Sequence, residues 1–260
     1  MKKLIFVFFI AVVFIQGISA QSDSTKGFQT KIPHYNILYV GTYAELRNDM
    51  MSEGLKENVA IRSDYFCSSF YISGGARFSA NLFQGNFVNA VSVNAGKVID
   101  LFRIPITVSG FYLWSPISQD LREYNAGLFF STRFGNFIPT IGLNTRIYAF
   151  SKAAIAKYGF TNNTSTYIWE PINVMYDLAY NQRINSKLNL RIRVTNFDPF
   201  VIQQETNPML STQLSYALSN KLVINSELVY LQAGLLNMRV NYFGYYFRGG
   251  LTWNFRIKEK

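Results

Sequence analysis

Between Gly244 and Ile257 the chain alternates apolar and polar residues almost without a break. One face carries Tyr245, Phe247, Gly249, Leu251, Trp253, Phe255 and Ile257; the other carries Tyr246, Arg248, Gly250, Thr252, Asn254 and Arg256. Successive side chains of an extended strand point to opposite faces, so a period of two reads as a strand with one apolar and one polar side. Leu188, Leu190, Ile192 and Val194 alternate in the same way with Asn189, Arg191, Arg193 and Thr195. A soluble core that covered this second face would strand two arginines away from water, which is costly without partners.

The pattern extends upstream with polar turns between the strands. Leu210, Leu214, Tyr216 and Leu218 oppose Ser211, Gln213 and Ser215, and Ser219-Asn220-Lys221 turns the chain into Leu222 to Gln232. Ile168, Val174, Tyr176, Leu178 and Tyr180 oppose Asn173, Asp177 and Asn181. Leu128, Phe130 and Phe134 oppose Asn125, Ser131 and Arg133, and Gly135-Asn136 has the composition of a tight hairpin turn. Ile104, Ile106, Val108, Tyr112 and Trp114 oppose Thr107 and Ser109. Further upstream, Val59 to Ile72 and Tyr35 to Tyr43 read as strands with apolar residues on both faces. The count is twelve strands, with ten as the alternative. Turns near Ala95-Gly96-Lys97, Gly135-Asn136, Ile184 to Lys187 and Ser219 to Lys221 read as short. The alternate connections, near Ser115 to Leu121, Phe150 to Ser165, Phe197 to Asn207 and Ala233 to Phe243, read as longer.

The opening of the chain is of a different kind. Lys2 and Lys3 precede an apolar run from Leu4 to Ile15 and a small-residue end at Gly17 to Ala20, the pattern of a cleaved secretory signal. The expected organisation is a signal peptide over 1–20, an N-terminal periplasmic segment over 21–34, a barrel over 35–257 and a tail over 258–260. The apolar run is short of the ~20 residues that a membrane helix needs, and no later run reaches that length.

Together these patterns resemble the outer-membrane β-barrel proteins of Gram-negative bacteria. The fold this implies is all-β, a transmembrane antiparallel up-and-down barrel. The most specific local match is a C-terminal assembly signal, carried here by Arg248, Gly250, Trp253 and Phe255. The tail Lys258-Glu259-Lys260 departs from the terminal aromatic that many such proteins have. The resemblance implies insertion by the outer-membrane assembly machinery, contact with outer-membrane lipid, and short periplasmic turns with both termini in the periplasm. Trp114, Trp169, Tyr167, Tyr245, Tyr246 and Phe247 near one set of strand ends, and Phe134, Phe137, Tyr180 and Trp253 near the other, are placed as interfacial girdles.

Charge and rare residues restrict the chemistry. Only 15% of residues are charged, against roughly 25% in an ordinary soluble domain, and the net charge is +10. The basic residues are spread along the strands rather than clustered with stacking aromatics, which argues against nucleic acid. A single cysteine, Cys67, and a single histidine, His34, leave no metal site, no cofactor site and no serine nucleophile with a well-placed base; an enzyme is not expected. On the inward faces, eight arginines (77, 103, 133, 146, 191, 193, 248 and 256) stand against Glu123, Asp177 and Glu227. Rings of arginine favour anions in a pore. The site expected from this register is a transverse polar network of Arg193, Gln213 and Glu227, with Arg191 and Arg248 leaving the lumen positive. The function expected is a small pore or transport channel with a basic lumen, open to small anionic solutes. The alternative is a closed-lumen structural, binding or assembly barrel of the envelope.

Overall fold

The computed structural model describes residues 36–49, 55–67, 70–80, 87–101, 104–158, 166–232 and 243–257. The expected leader, the segment 21–34 with His34, Arg103 and the tail 258–260 lie outside the described residues. Among the described residues twelve strands follow one another: β1 (Asn36–Asp49), β2 (Leu55–Cys67), β3 (Phe70–Ser79), β4 (Val88–Leu101), β5 (Ile104–Pro116), β6 (Leu121–Thr132), β7 (Phe137–Phe150), β8 (Tyr167–Arg183), β9 (Leu188–Asp198), β10 (Gln203–Ala217), β11 (Leu222–Gln232) and β12 (Phe243–Ile257). A short helix, α1 (Lys152–Tyr158), lies between β7 and β8. Each strand pairs with its neighbour in sequence, and β1 pairs antiparallel with β12 from Asn36↔Ile257 to Asp49↔Gly244, so the sheet closes. Closure satisfies every edge, the condition for crossing a bilayer with strands.

The alternation sorts the side chains as a membrane barrel requires. Leu128, Leu143 and Val174 stand side by side in register on β6, β7 and β8 and all face outward, more than half exposed. Their neighbours Asn125, Asn144 and Arg146 are buried in the interior. Between β6 and β7, Gly135 takes a left-handed φ of 59°, which a tight two-residue turn demands and which glycine adopts at little cost. The backbones of Phe134 and Phe137 bond to each other on both sides of it.

Several expectations are corrected. Ala95-Gly96-Lys97 is not a turn: it lies inside β4, where the Tyr71 ring occupies the space a Cβ on Gly96 would need. The glycine serves close ring packing, which looks the same as a turn signal in sequence. The run Val59 to Ile72 is two strands, β2 and β3, paired from Asn58↔Ser79 to Cys67↔Phe70. The connection between β5 and β6 is as short as those at the other end, since β5 ends at Pro116 and β6 begins at Leu121. Tyr246 is not part of a girdle: it faces inward and is buried with Met209, Val229 and Leu231.

Gly250 has a packing role of its own. It is the register partner of Tyr43, whose ring lies across it and whose hydroxyl bonds to Thr252 at 2.9 Å. A Cβ on Gly250 would meet the Thr42 carbonyl oxygen of the facing strand and, at 2.6 Å, that ring, whereas on Gly74 the nearest atom, the Ser92 carbonyl oxygen, is 3.8 Å away. Gly250→Ala is therefore expected to cost about 1–3 kcal/mol through overpacking, and Gly74→Ala much less. Urea unfolding in lipid vesicles would test the contrast, and equal costs would contradict the packing argument.

Candidate functional site

The candidate site is the interior of the barrel where β9 turns into β10. These two strands pair as a wall only between Leu188↔Tyr216 and Thr195↔Met209. Beyond Thr195 the pairing shifts: residues 205–208 of β10 lie opposite Asn196 alone, and the pairs Phe197↔Gln204 and Asp198↔Gln203 form a small hairpin tip. The tip is buried. Phe197, Asp198, Phe200, Val201, Ile202 and Gln204 are all less than a tenth exposed. An outer loop was expected over Phe197 to Asn207; instead the connection folds back into the lumen.

Apolar packing explains where the hairpin rests. Phe200 and Val201 meet Ala60, Ala90 and Leu113, from β2, β4 and β5, with Tyr43 of β1 packed on the same cluster. The Tyr43 and Phe200 rings lie edge to face, 4.2 Å apart. Phe197 and Ile202 join Phe111, Phe129 and Met175, from β5, β6 and β8. Burying a side chain such as Phe200 or Ile202 contributes about 1.5–3 kcal/mol. That offsets the backbone of Ile202, whose φ of 54° is strained for a β-branched residue by about 1–3 kcal/mol. The apolar residues on both faces of the first strands thus have a cause: some face lipid, and Tyr43 and Ala60 face the hairpin.

Hydrogen bonds seal the place where β9 leaves the wall. The Tyr176 N–H of β8 donates to Asn196 Oδ1 at 2.8 Å, and Asn196 Nδ2 donates to the Val174 carbonyl at 2.8 Å. Gln204 Nε2 reaches the same carbonyl at 3.3 Å. Side-chain amides replace the missing strand, so these backbone groups of β8 are not left unpaired.

Charge then fixes the hairpin. Arg248 is 3% exposed and sits among three carboxylates: Nη2 is 2.6 Å from both Glu45 Oε2 and Asp198 Oδ2, and Nη1 is 3.0 Å from Glu227 Oε2. Its guanidinium also lies over the Phe200 ring, 4.9 Å from the centroid. Asp198 accepts the Phe200 N–H at 2.9 Å, so one carboxylate shapes the turn and ties it to β12. Arg62 donates to the Pro199 carbonyl and Arg77 to Gln203 Oε1, from β2 and β3.

The residues proposed from sequence fall around this hairpin. Arg193 is bound by Asp177 through Nε at 3.0 and 3.2 Å, and its Nη1 is 3.9 Å from Glu227 Oε1. Arg191 reaches Asp177 at 3.7 Å. The bond linking β10 to Glu227 comes from Ser211, the register partner of Arg193, whose hydroxyl donates at 2.6 Å. Gln213 stands between Arg191 and Glu227 in register. Arg146 belongs to a separate group with Glu123 at 2.9 Å and Glu170 at 3.5 Å. Sequence reasoning missed Glu45, Asp64 and Asp198, which face Arg248, Arg77 and Arg62, and so overstated the arginine excess beside the hairpin. One signal was available: Asp198-Pro199 initiates a turn, and Phe-Val-Ile after it is too apolar for an outer loop tip.

No family model and no curated protein matches this sequence. Solved structures do share its fold. A NanC porin superposes with a TM-score of 0.50 at 13% identity, covering 82% of this chain and 98% of its own. A KdgM porin gives 0.46 at 10% identity, with 83% and 99% covered. The outer membrane phospholipase A from Escherichia coli gives 0.41 at 7% identity, with 89% and 91% covered. This chain has the fold of outer-membrane β-barrels.

Proposed function

We propose that this chain is an outer-membrane barrel with both termini in the periplasm, and that it works as a narrow conduit held shut by its own β9–β10 hairpin. The observation that carries the reading is the position of that hairpin, whose apolar residues pack in clusters with six other strands and whose Asp198 is clamped by Arg248. A filler with no other role could be built from side chains alone, as small barrels commonly are. Here the filler is a segment of backbone joined to the wall at Thr195 and Met209, an arrangement that can swing as a unit. The apolar belt meets outer-membrane lipid. Arg248, Gly250, Trp253 and Phe255 carry the strand that the assembly machinery would read, besides the interior tasks of the first two.

The density of buried ion pairs around Arg248 favours the second reading, a permanently closed structural, binding or assembly barrel. Planar-bilayer recording separates the two. The wild-type protein should show rare, brief openings. Replacing residues 196–208 by Asn-Gly, which closes the ladder at the Thr195↔Met209 pair with a two-residue turn, should give steady conductance. A wild type that never opens at any voltage, beside a conducting short-hairpin variant, establishes the closed barrel; a variant as silent as the wild type shows that the hairpin is not what shuts the lumen.

A further inference from the structure

On the outward side of the wall, toward the rim away from Asn36 and Ile257, the residues Trp114, Tyr124, Ile147 and Trp169 stand side by side in register on β5 to β8. Tryptophan and tyrosine gather where hydrocarbon gives way to headgroups, so this row marks that level. Two residues nearer the rim, Pro116 pairs with Arg122. The neighbour of Arg122, Glu123, is buried in the interior with Arg146, so Arg122 points outward; it is exposed, one step beyond the aromatic row. Beside it the outer surface holds a groove of about 310 Å³. Phe87, Val88, Trp114 and Pro116 make its apolar side, and the β5–β6 turn with Arg122 makes its polar side.

The charge of this arginine is not answered by the protein. Among the described residues Arg122 has neither a hydrogen bond nor an ion pair, and no carboxylate borders the groove. Asp120 is turned to the β7 side, where it accepts the Ser151 hydroxyl at 2.7 Å, and the exposed Lys152 that follows adds another positive charge to the same rim. An arginine alone at this height would be served by water. An arginine beside an apolar groove within the size range of ligand pockets fits a molecule with an anionic head and a hydrocarbon chain. We infer that the groove seats one phosphate-headed lipid of the adjoining leaflet, its phosphate on Arg122 and an acyl chain along Phe87, Val88 and Trp114. Arginine matches phosphate oxygens with paired N–H donors. The seat rests on the membrane reading of the barrel and names a lipid that the wall selects; it does not depend on whether the hairpin opens.

Quenching of Trp114 tests the seat. The full chain carrying Trp169→Phe and Trp253→Phe is held in dodecyl maltoside. A brominated-chain phosphatidate is titrated in one arm and the matching brominated diacylglycerol, which lacks the phosphate, in the other. The midpoint should lie about tenfold lower for phosphatidate, the worth of one charge-assisted hydrogen bond. Arg122→Gln should bring the two midpoints together, and Arg122→Lys should keep part of the preference. Lys221→Gln, in an exposed turn at the opposite rim, should leave it unchanged. Native mass spectrometry of the chain with all its tryptophans should find one retained phosphatidate that Arg122→Gln loses. Equal midpoints, or a preference that survives Arg122→Gln, overturn the seat and leave the barrel in its membrane. If neither lipid quenches Trp114, the outward face takes no acyl chain and the membrane reading falls with the seat.

Discussion

Arg248→Met should cost the barrel about 3–5 kcal/mol, because removing one partner of a buried ion pair leaves the other charged and unpaired. Here three partners are left: Glu45, Asp198 and Glu227, each within 3.0 Å of the guanidinium. The next cations are too far to replace it, since Arg77 stands 3.7 Å from Glu45 and Arg193 3.9 Å from Glu227, each with other partners. The methionine side chain has a similar reach and keeps contact with Phe200, so the loss reads out charge rather than a cavity. Adding Asp198→Asn removes one stranded carboxylate, so the double variant should be less destabilised than the sum of the two single changes. A coupling of about 0.5–3 kcal/mol is the range for groups in one ion-pair network. Equilibrium unfolding by urea in lipid vesicles measures all four proteins. A neutral Arg248→Met, or strictly additive changes, would mean that the hairpin is held by its apolar contacts alone.

The strand periodicity was legible because the bilayer enforces it. With lipid outside and polar side chains inside, Leu190, Ile192 and Val194 cannot exchange faces with Arg191, Arg193 and Thr195. The reading weakened where an inward face is apolar. Leu113, Phe111, Phe129 and Met175 meet the hairpin rather than lipid, and nothing in a period of two distinguishes those two surroundings. The candidate site was half legible for the same reason. Arg193, Glu227 and Arg248 follow from strand parity. Asp198 lies in a segment read as a loop, and Glu45 lies in a first strand whose faces were mixed by Tyr43, so the partners of Arg248 were hidden. Ser211 was assigned to the correct face, but its bond to Glu227 depends on a register that alternation does not supply, because parity fixes which face a residue occupies and not which residue stands opposite.

The outward face allows the sharpest test of the membrane reading. Leu143 is 52% exposed and lies between Leu128 and Val174, its register partners, which are also outward and apolar. No carboxylate stands beside it on β6 or β8, so an arginine there would have only lipid around its stem and a long way to reach headgroups. Leu143→Arg is expected to cost about 2–4 kcal/mol if this point is near the bilayer midplane. The same arginine at Asn254, which faces the lumen near the short-turn end, has a wet environment within reach and should cost little. The contrast belongs to the bilayer and not to the fold as such. In a soluble barrel with an exposed Leu143, arginine there would be neutral or would improve solubility, while the small cost of Asn254→Arg would stay the same. The order of the two costs, measured by urea unfolding in vesicles and by the fraction inserted, therefore decides the solvent of the outer face. If Asn254→Arg proves the more damaging change, the apolar belt does not lie in lipid.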